Sequence, residues 1–564
     1  MRRFIINTAI SVLFISVSCS DETIDDYPAN FVQADVICGD SVKVTQFVNN
    51  IYSYIPDGYN RLGDNSMVAS STDEAVHAVR GSAAESWGTG SWGPTSIPDN
   101  LFSSCYSGIR RTFIYEEQIY PNVKDNVMTS VGRDLYYGQV LFLRALLNFE
   151  LLKRFGGYPI VKKALETNDD LNCPRSTCDE CVGYITGLCD NAAELLPVKY
   201  ADNQLGRATK GAALALKARL LLYSASPLFN DPSKTSDGLE NGKYDASKWE
   251  KAAEASAAVI NLKNGSASAY DLYKSYDAFF YTLASNKEII LSKMATTNNT
   301  VERLNGPSSI TGGEGGTCPT LDLVNDYEMK SGVSFDWNNP DHAANPFGNR
   351  DPRFEKSILF NGAGWMNNMT IETYEGGKDK TGNKATRTSF YLRKFLNVNA
   401  RWNAPVGKTN HCFPIFRYGE VLLNYAEAVN EAYGPDMDPK AYGMTARAAI
   451  TLIRGRAGLT GNIDLSGSVP AGDQDLMRRA IRHERRIELA FEEHRHLDLR
   501  RWKTAEQILN QSVFGLEITK NTDGTYSYAP QTVEERVFSE KMYLYPFPQE
   551  EINRNTGLIQ NSGW

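Results

Sequence analysis

The stretch Arg482–Trp502 reads RHERRIELAFEEHRHLDLRRW, and eleven of its twenty-one residues are charged. Three of the chain's six histidines, His483, His494 and His496, fall inside it. Acids, bases and imidazoles at one-turn spacing raise the question of a catalytic helix. On a helix, Glu484, Glu488 and Glu492 share one side, with side-chain origins about 6 Å apart. That approaches the roughly 5–5.5 Å carboxyl spacing of retaining glycosidases. Such a pair must attack a sugar from opposite sides, however, whereas neighbours on one helix point the same way. Arg482, Arg485, Arg486 and Arg495 also surround the acids and would keep them ionised rather than raise a pKa for acid catalysis. The interleaving fits hydrogen-bonded ion pairs that lock helices together. The stretch therefore reads as scaffold, and no catalytic residue is assigned to it.

Working outward, helical segments with a shared pattern flank a different kind of chain. Gly138/Leu141/Ala145, Gly211/Leu214/Ala218 and Gly419/Leu422/Ala426 each spell G-x-x-L-x-x-x-A, and WEKAAEASAAVINL from Trp249 repeats the small-residue stripe without the glycine. Small residues one turn apart let a partner helix approach, as in tetratricopeptide-like stacks. Helical repeats are expected near 138–155, 207–224, 249–262 and 415–433. Residues 264–411 are punctuated by Gly, Asn, Pro and Thr, which long helices do not tolerate. Short strands at KSILF and SFYLRKFL are the most that fits there. Residues 55–100 and 513–564 also read as irregular. The expected fold is mainly α, a tetratricopeptide-like helical scaffold with long irregular inserts and short strands.

The N-terminus, MRRFIINTAISVLFISVSC, has two arginines, a short apolar run and small residues before Cys19. That is the form of a secretory signal over residues 1–18, and the cysteine points to lipoprotein processing with Cys19 acylated. Ser16, Val17 and Ser18 depart from the usual Leu-Ala-Gly pattern, so plain secretion stands as the alternative. Removing residues 1–18 takes away two arginines and no acid, so the net charge becomes −10 instead of −8. Residues 19–37 are acidic and aperiodic and read as a tether, with one folded domain over 38–564. No later apolar run reaches the roughly 18 residues of a membrane span. The net negative charge, without a basic patch, argues against nucleic acid.

The remaining chemistry is sparse. CPRSTCDECVGYITGLC holds one CxxC, Cys178 and Cys181, without a second pair at zinc-site spacing. It reads as a helix start capped by Ser176 or Thr177, with buried thiols or local disulfides as the alternatives. His494 and His496 lie two apart, unlike the i, i+4 pair of a zinc helix. ITGGEGGTC lacks the Lys and Ser/Thr of a phosphate loop. No metal and no cofactor are assigned. Among the tryptophans, Trp249 and Trp502 sit in helical context and read as core, and Trp564 in the C-terminal stretch reads as structural. Trp87, Trp92, Trp337, Trp365 and Trp402, with Tyr276 and Tyr374, lie in polar, loop-like surroundings. Sugar rings present apolar C–H faces, so flat aromatics in loops are candidate carbohydrate platforms.

In order along the chain, FLRALLNFELLKRFGGYPIV, GRATKGAALALKARLLLYSASPLF, NRDPRFEKSILFNG, FRYGEVLLNYAEAVNEA, LIRGRAGL, ERRIELAFEEHRHLDLRRW and LYPFPQEEINRNTGLIQNSGW resemble the SusD/RagB family of outer-membrane nutrient-binding lipoproteins. The resemblance spans nearly the whole chain. It implies a SusD-like fold, a lipid anchor at Cys19 in the outer membrane, glycan capture, and delivery to a SusC-like TonB-dependent transporter. Peptide capture of the RagB kind is the alternative within the family, and a glycoside hydrolase the alternative outside it. CSDETIDD is similar to the acidic surface-export signal that such lipoproteins carry. The loops vary too much within the family to transfer ligand contacts residue by residue, so the seven aromatics above stand on their context alone.

Overall fold

The computed structural model describes residues 34–564 apart from Thr167, Thr235, Asn241, Gly242, Ala284, 401–407 and Pro439. The signal segment, Cys19 and Trp402 lie outside the described residues. The folded part begins slightly before residue 38, because Ala34–Cys38 is already helical with Ile37 and Cys38 buried.

The helices used below are α1 (Ser41–Tyr52), α2 (Phe102–Ile114), α3 (Ser130–Phe155), α4 (Cys178–Leu195), α5 (Lys210–Ala225), α6 (Ser247–Ile260), α7 (Tyr418–Tyr433), α8 (Ala446–Ala457), α9 (Gln474–Glu488) and α10 (His494–Arg501). Packing runs α2–α3–α4–α5–α6–α7, and α7 then contacts α8 and α9. The four expected repeats are α3, α5, α6 and α7. Thr129 and Thr209 cap α3 and α5, and Thr177 with Glu180 closes a reciprocal capping box on α4. From Gly138 to Leu152 every residue of α3 is buried, so its apolar character runs all round. Two of the patterned glycines serve something other than helix packing. A side chain at Gly211 would strike the Tyr270 ring, and one at Gly419 would strike the Arg417 guanidinium. The eight described cysteines are free thiols, with Cys178, Cys181 and Cys189 buried on α4.

The insert is closed at its ends by an antiparallel pair, β1 (Ile289–Met294) with β2 (Cys412–Arg417). It owns a second core, built on residues such as Phe280, Leu323, Tyr327, Phe354, Phe390 and Ile487. Ile358–Leu359 pairs with Tyr391–Leu392, in the two segments expected to be strands. The tail departs from expectation. Val513–Lys520 (β3) and Tyr526–Glu534 (β4) form a regular hairpin, because Leu516 and Ile518 alternate inward onto the insert core.

The charged stretch is scaffold, though not as a single helix. α9 ends at Glu488, and Phe491 and Glu493 take left-handed φ values of 65° before α10 starts. Glu492 therefore sits in a buried turn instead of on the helix face with Glu484 and Glu488. Lys394 fills that turn, donating to the carbonyls of Glu488 and Ala490 (3.0 and 2.9 Å) and to the Glu492 carboxylate (2.7 Å). Arg417 reaches Glu288, Glu488 and Glu492 at 2.8, 2.7 and 2.7 Å. Arg353 bridges Asp351 and Glu488 at 2.7 and 3.0 Å and also meets Glu484, while Arg454 meets Glu484 at 3.0 Å. On the opposite side of α9, Arg485 holds Asp498 (2.7 Å), and Arg501 joins Asp498 to Glu427 of α7 (2.8 and 2.6 Å). Burial alone would raise the Glu488 carboxyl. Arg456, Arg417 and Arg353 outweigh it and hold the group well below the carboxylate range.

Two outcomes follow for stability. Glu488→Gln should cost about 3–5 kcal/mol in chemical denaturation, since it leaves buried guanidinium groups uncompensated. Acid should unfold the protein through its depressed carboxyls. Against burial, Arg501 and Arg485 hold Glu427 near about 2, and Arg154 and Arg61 do the same for Asp99. The unfolded values are about 3.9–4.3, so this stability is complete above that range and lost as pH falls towards 2. Thermal melts across that window should show a steep decline that Glu427→Gln makes shallower.

Candidate functional site

The structure separates the seven candidate aromatics. Trp87 and Trp92 are only 3% and 8% exposed and belong to the main core. Trp87 packs 4.2 Å from His496 and 5.7 Å from Tyr545, and Trp92 lies 4.6 Å from Trp564. They are pegs that fasten the 83–92 segment to α10 and the C-terminus, and they present no platform. Trp365 is buried in the insert core. Tyr276 is buried in the ion-pair network, its hydroxyl donating to the Glu488 carbonyl (2.8 Å) and accepting from Lys394 (2.7 Å). These four assignments are corrected by burial. Trp402 lies outside the described residues.

Trp337 and Tyr374 remain, both half-buried at the edge of the insert core. The structure links them through two residues that the sequence reading passed over, Tyr526 and Tyr528. These stand two apart on β4, hence on one face and roughly 7 Å from each other. Trp337 lies 5.9 Å from Tyr528, and Tyr374 lies 5.7 Å from Tyr526. The result is a rim of four half-exposed rings along one side of the hairpin. The signal for the tyrosines was the alternation in TYSYAP, which points every second side chain one way.

Each end of the rim is held in place. The Trp337 indole N–H donates to Asn325 (3.0 Å), and its ring meets Phe335 edge-on at 5.1 Å. Phe335 also carries the His342 imidazole in parallel at 5.6 Å and the Arg350 guanidinium at 4.0 Å. Arg350 is turned into the core, donating to the carbonyls of Tyr327 and Pro346, and burial lowers its pKa to about 9. At the other end, the Lys520 ammonium sits 5.1 Å over Tyr374.

Beside Phe335 opens a cavity of about 270 Å³, lined by Ser331, Asp341, His342, Asn345 and Asn349 among others. The Asp336 backbone N–H donates to His342 Nδ1 at 3.1 Å, which places the ring proton on Nε2 as a free donor. Asn339 caps the short helix Pro340–Ala344 through its bonds to Asp341 and His342. Aromatic faces next to amide, hydroxyl and carboxylate groups can stack a ring and read its hydroxyls. Among the described residues no group of three His, Cys, Asp or Glu is placed to hold a metal ion. His494 and His496 are buried, which drives both well below the usual imidazole range and keeps them neutral.

Known proteins align with this fold. Residues 287–564 match the SusD family model, and residues 30–222 match a family described as starch-binding and associating with the outer membrane. A SusD-like protein from Bacteroides fragilis superposes with a TM-score of 0.78 at 27% identity, covering 94% of this chain and 98% of its own. A SusD-like carbohydrate binding protein from the same species gives 0.75 at 22% identity, covering 93% and 100%. A SusD-like protein of Formosa agariphila is 32% identical over 147 residues, 26% of this chain and only 24% of its own length. With family models matching residues 30–222 and 287–564 and the fold shared over 94% of the chain, the protein belongs to the SusD/RagB family.

Proposed function

We propose that this protein is a surface-tethered binding lipoprotein that captures glycan on the rim of Trp337, Tyr528, Tyr526 and Tyr374 and delivers it to a SusC-like TonB-dependent transporter. The observation that carries this reading is the rim itself, four half-exposed rings near a polar cavity on the insert. A row of rings suits an extended chain of sugars, each offering an apolar face. Carbohydrate binding by a fold neighbour supports it. Binding, not turnover, is the activity inferred. The acids that resemble a catalytic pair, Glu484 and Glu488, are buried and locked by Arg353, Arg417 and Arg454. Among the described residues no helix is long and apolar enough to cross a membrane, and attachment is assigned to acylation of Cys19.

Calorimetric titration against a glycan and peptide panel tests the reading. Trp337→Ala and Tyr528→Ala should each weaken glycan binding by about 1–3 kcal/mol with little change in melting temperature. Trp87→Ala should do the reverse, losing about 3–5 kcal/mol of stability while the folded fraction binds normally. Normal glycan affinity in both rim variants, or binding confined to peptides, would overturn the assignment.

Attachment is tested separately. Cys19→Ala should release the protein from membranes, and added protease should cleave the wild type on intact cells. Protection of the wild type until lysis would contradict surface display.

A further inference from the structure

A second cavity, of about 320 Å³, lies in the helical half, bounded by the segment leading into α5, the turn at 264–270 and β1. It opens onto a shallower groove that shares Gln204, Leu205, Arg207 and Met294 with it. Nothing in the rim or the ion-pair network uses this space.

Two of its lining groups are incompletely satisfied. Arg207 donates one N–H to Gln139 (3.0 Å) and lies 5.7 Å from the Tyr136 ring. Gln139 is fully buried and takes a second bond from the Tyr52 hydroxyl (2.9 Å), which itself accepts from the Ala208 N–H (2.9 Å). The guanidinium is therefore pinned on one side, and its other N–H groups meet no acceptor among the described residues. Tyr200 and Arg207 both line the cavity, and the Tyr200 hydroxyl is buried without a hydrogen-bond partner among the described residues. A buried hydroxyl without a partner carries a desolvation cost that a ligand acceptor would remove.

The local charge balance opposes the chain's overall −8. Lys287 lines the cavity and makes no ion pair among the described residues. Lys199 and Lys293 meet Asp202 and Asp57 only in partly exposed pairs, at 3.6 and 3.2 Å. The cavity also has an apolar side. Leu205 and Met294 are 42% and 38% exposed at its edge, and Tyr270 forms part of its wall.

We propose that this cavity is a second ligand site, taking a saccharide that bears a carboxylate or a sulfate ester, with Arg207 and Tyr200 donating to the anionic oxygens. An arginine fork fixed in advance matches two oxygens of one planar or tetrahedral anion, and the phenol supplies a third donor. The apolar edge and the volume suit a ring-sized body that a bare inorganic anion would leave unfilled.

Titration of the mature chain with a glucuronate disaccharide, a sulfated disaccharide, the uncharged disaccharide of the same linkage, and inorganic sulfate tests the proposal. At least one acidic disaccharide should bind about tenfold or more tighter than the uncharged one, and Arg207→Gln should abolish that preference. Whichever acidic probe binds identifies the anion. The affinity should fall with added salt and be untouched by Trp337→Ala, which separates this site from the rim. Tyr200→Phe should weaken the acidic probe without lowering the melting temperature, because the hydroxyl it removes has no partner to lose. Equal binding of charged and uncharged probes, no binding at millimolar concentration, inorganic sulfate binding as tightly as the saccharides, or an unaffected Arg207→Gln variant would each overturn the proposal.

Discussion

Arg417 touches Glu288, Glu488 and Glu492 at once, and all four side chains are essentially excluded from solvent. Glu288 precedes β1 at the entry to the insert, Arg417 ends β2 at its exit, and the two glutamates bracket the end of α9. One guanidinium thus ties the insert's closing strand pair to the helical stack. Taking these charges out of water is expensive, and the expense is offset only when every donor and acceptor is matched. Arg353, Arg454, Arg456 and Lys394 supply most of the remaining partners, drawing residues 288 to 492 into one set of contacts. Such a network has one good arrangement and many costly ones. Removing one member leaves its partners buried and unpaired, which costs more than the intact pairing contributes.

The same constraint explains the break in the charged stretch. Two non-glycine residues in left-handed conformation cost about 1–3 kcal/mol each and persist only where the surroundings hold them. Here Lys394, Tyr276 and Arg417 all donate to the Glu488 carbonyl at the break. A continuous helix would keep Glu492 on the face of Glu484 and Glu488 and tie the Glu488 carbonyl into the helical ladder, where it could not receive these three donors. The turn exists because the acids are needed at that place. With the insert core held this way, the β3–β4 hairpin rests on a fixed base, and its tyrosines keep their spacing.

Local pattern carried much of this in the sequence. The four repeats stand where the small-residue stripes place them, and the Thr177 cap and the strands around Ile358 and Tyr391 follow from neighbouring residues. The charged stretch was legible as scaffold because its arginines are interleaved with its acids. What escaped depended on distant partners. Nothing near Phe491 signals a left-handed turn, since the groups that stabilise it come from positions 276, 394 and 417. The hairpin was missed for another reason: polar residues and Pro530 on its exposed face diluted an alternation whose buried half is short.

Tryptophan in a glycine- and serine-rich segment shows where this limit bites. Such surroundings establish that the backbone is irregular, but an irregular segment covering a core still needs large side chains to fasten it. Trp87 and Trp92 do that, and the rings that receive them, His496, Tyr545 and Trp564, lie some four hundred residues further along. Trp337 occupies a similar local sequence and meets a different supply. Its partners are Phe335 close by and Tyr528 on an exposed hairpin, which cover one side of the indole and leave it half-buried. A buried ring and a half-exposed one therefore differ in how much apolar surface the rest of the fold delivers to each, a quantity set by tertiary contacts and absent from the ten residues on either side.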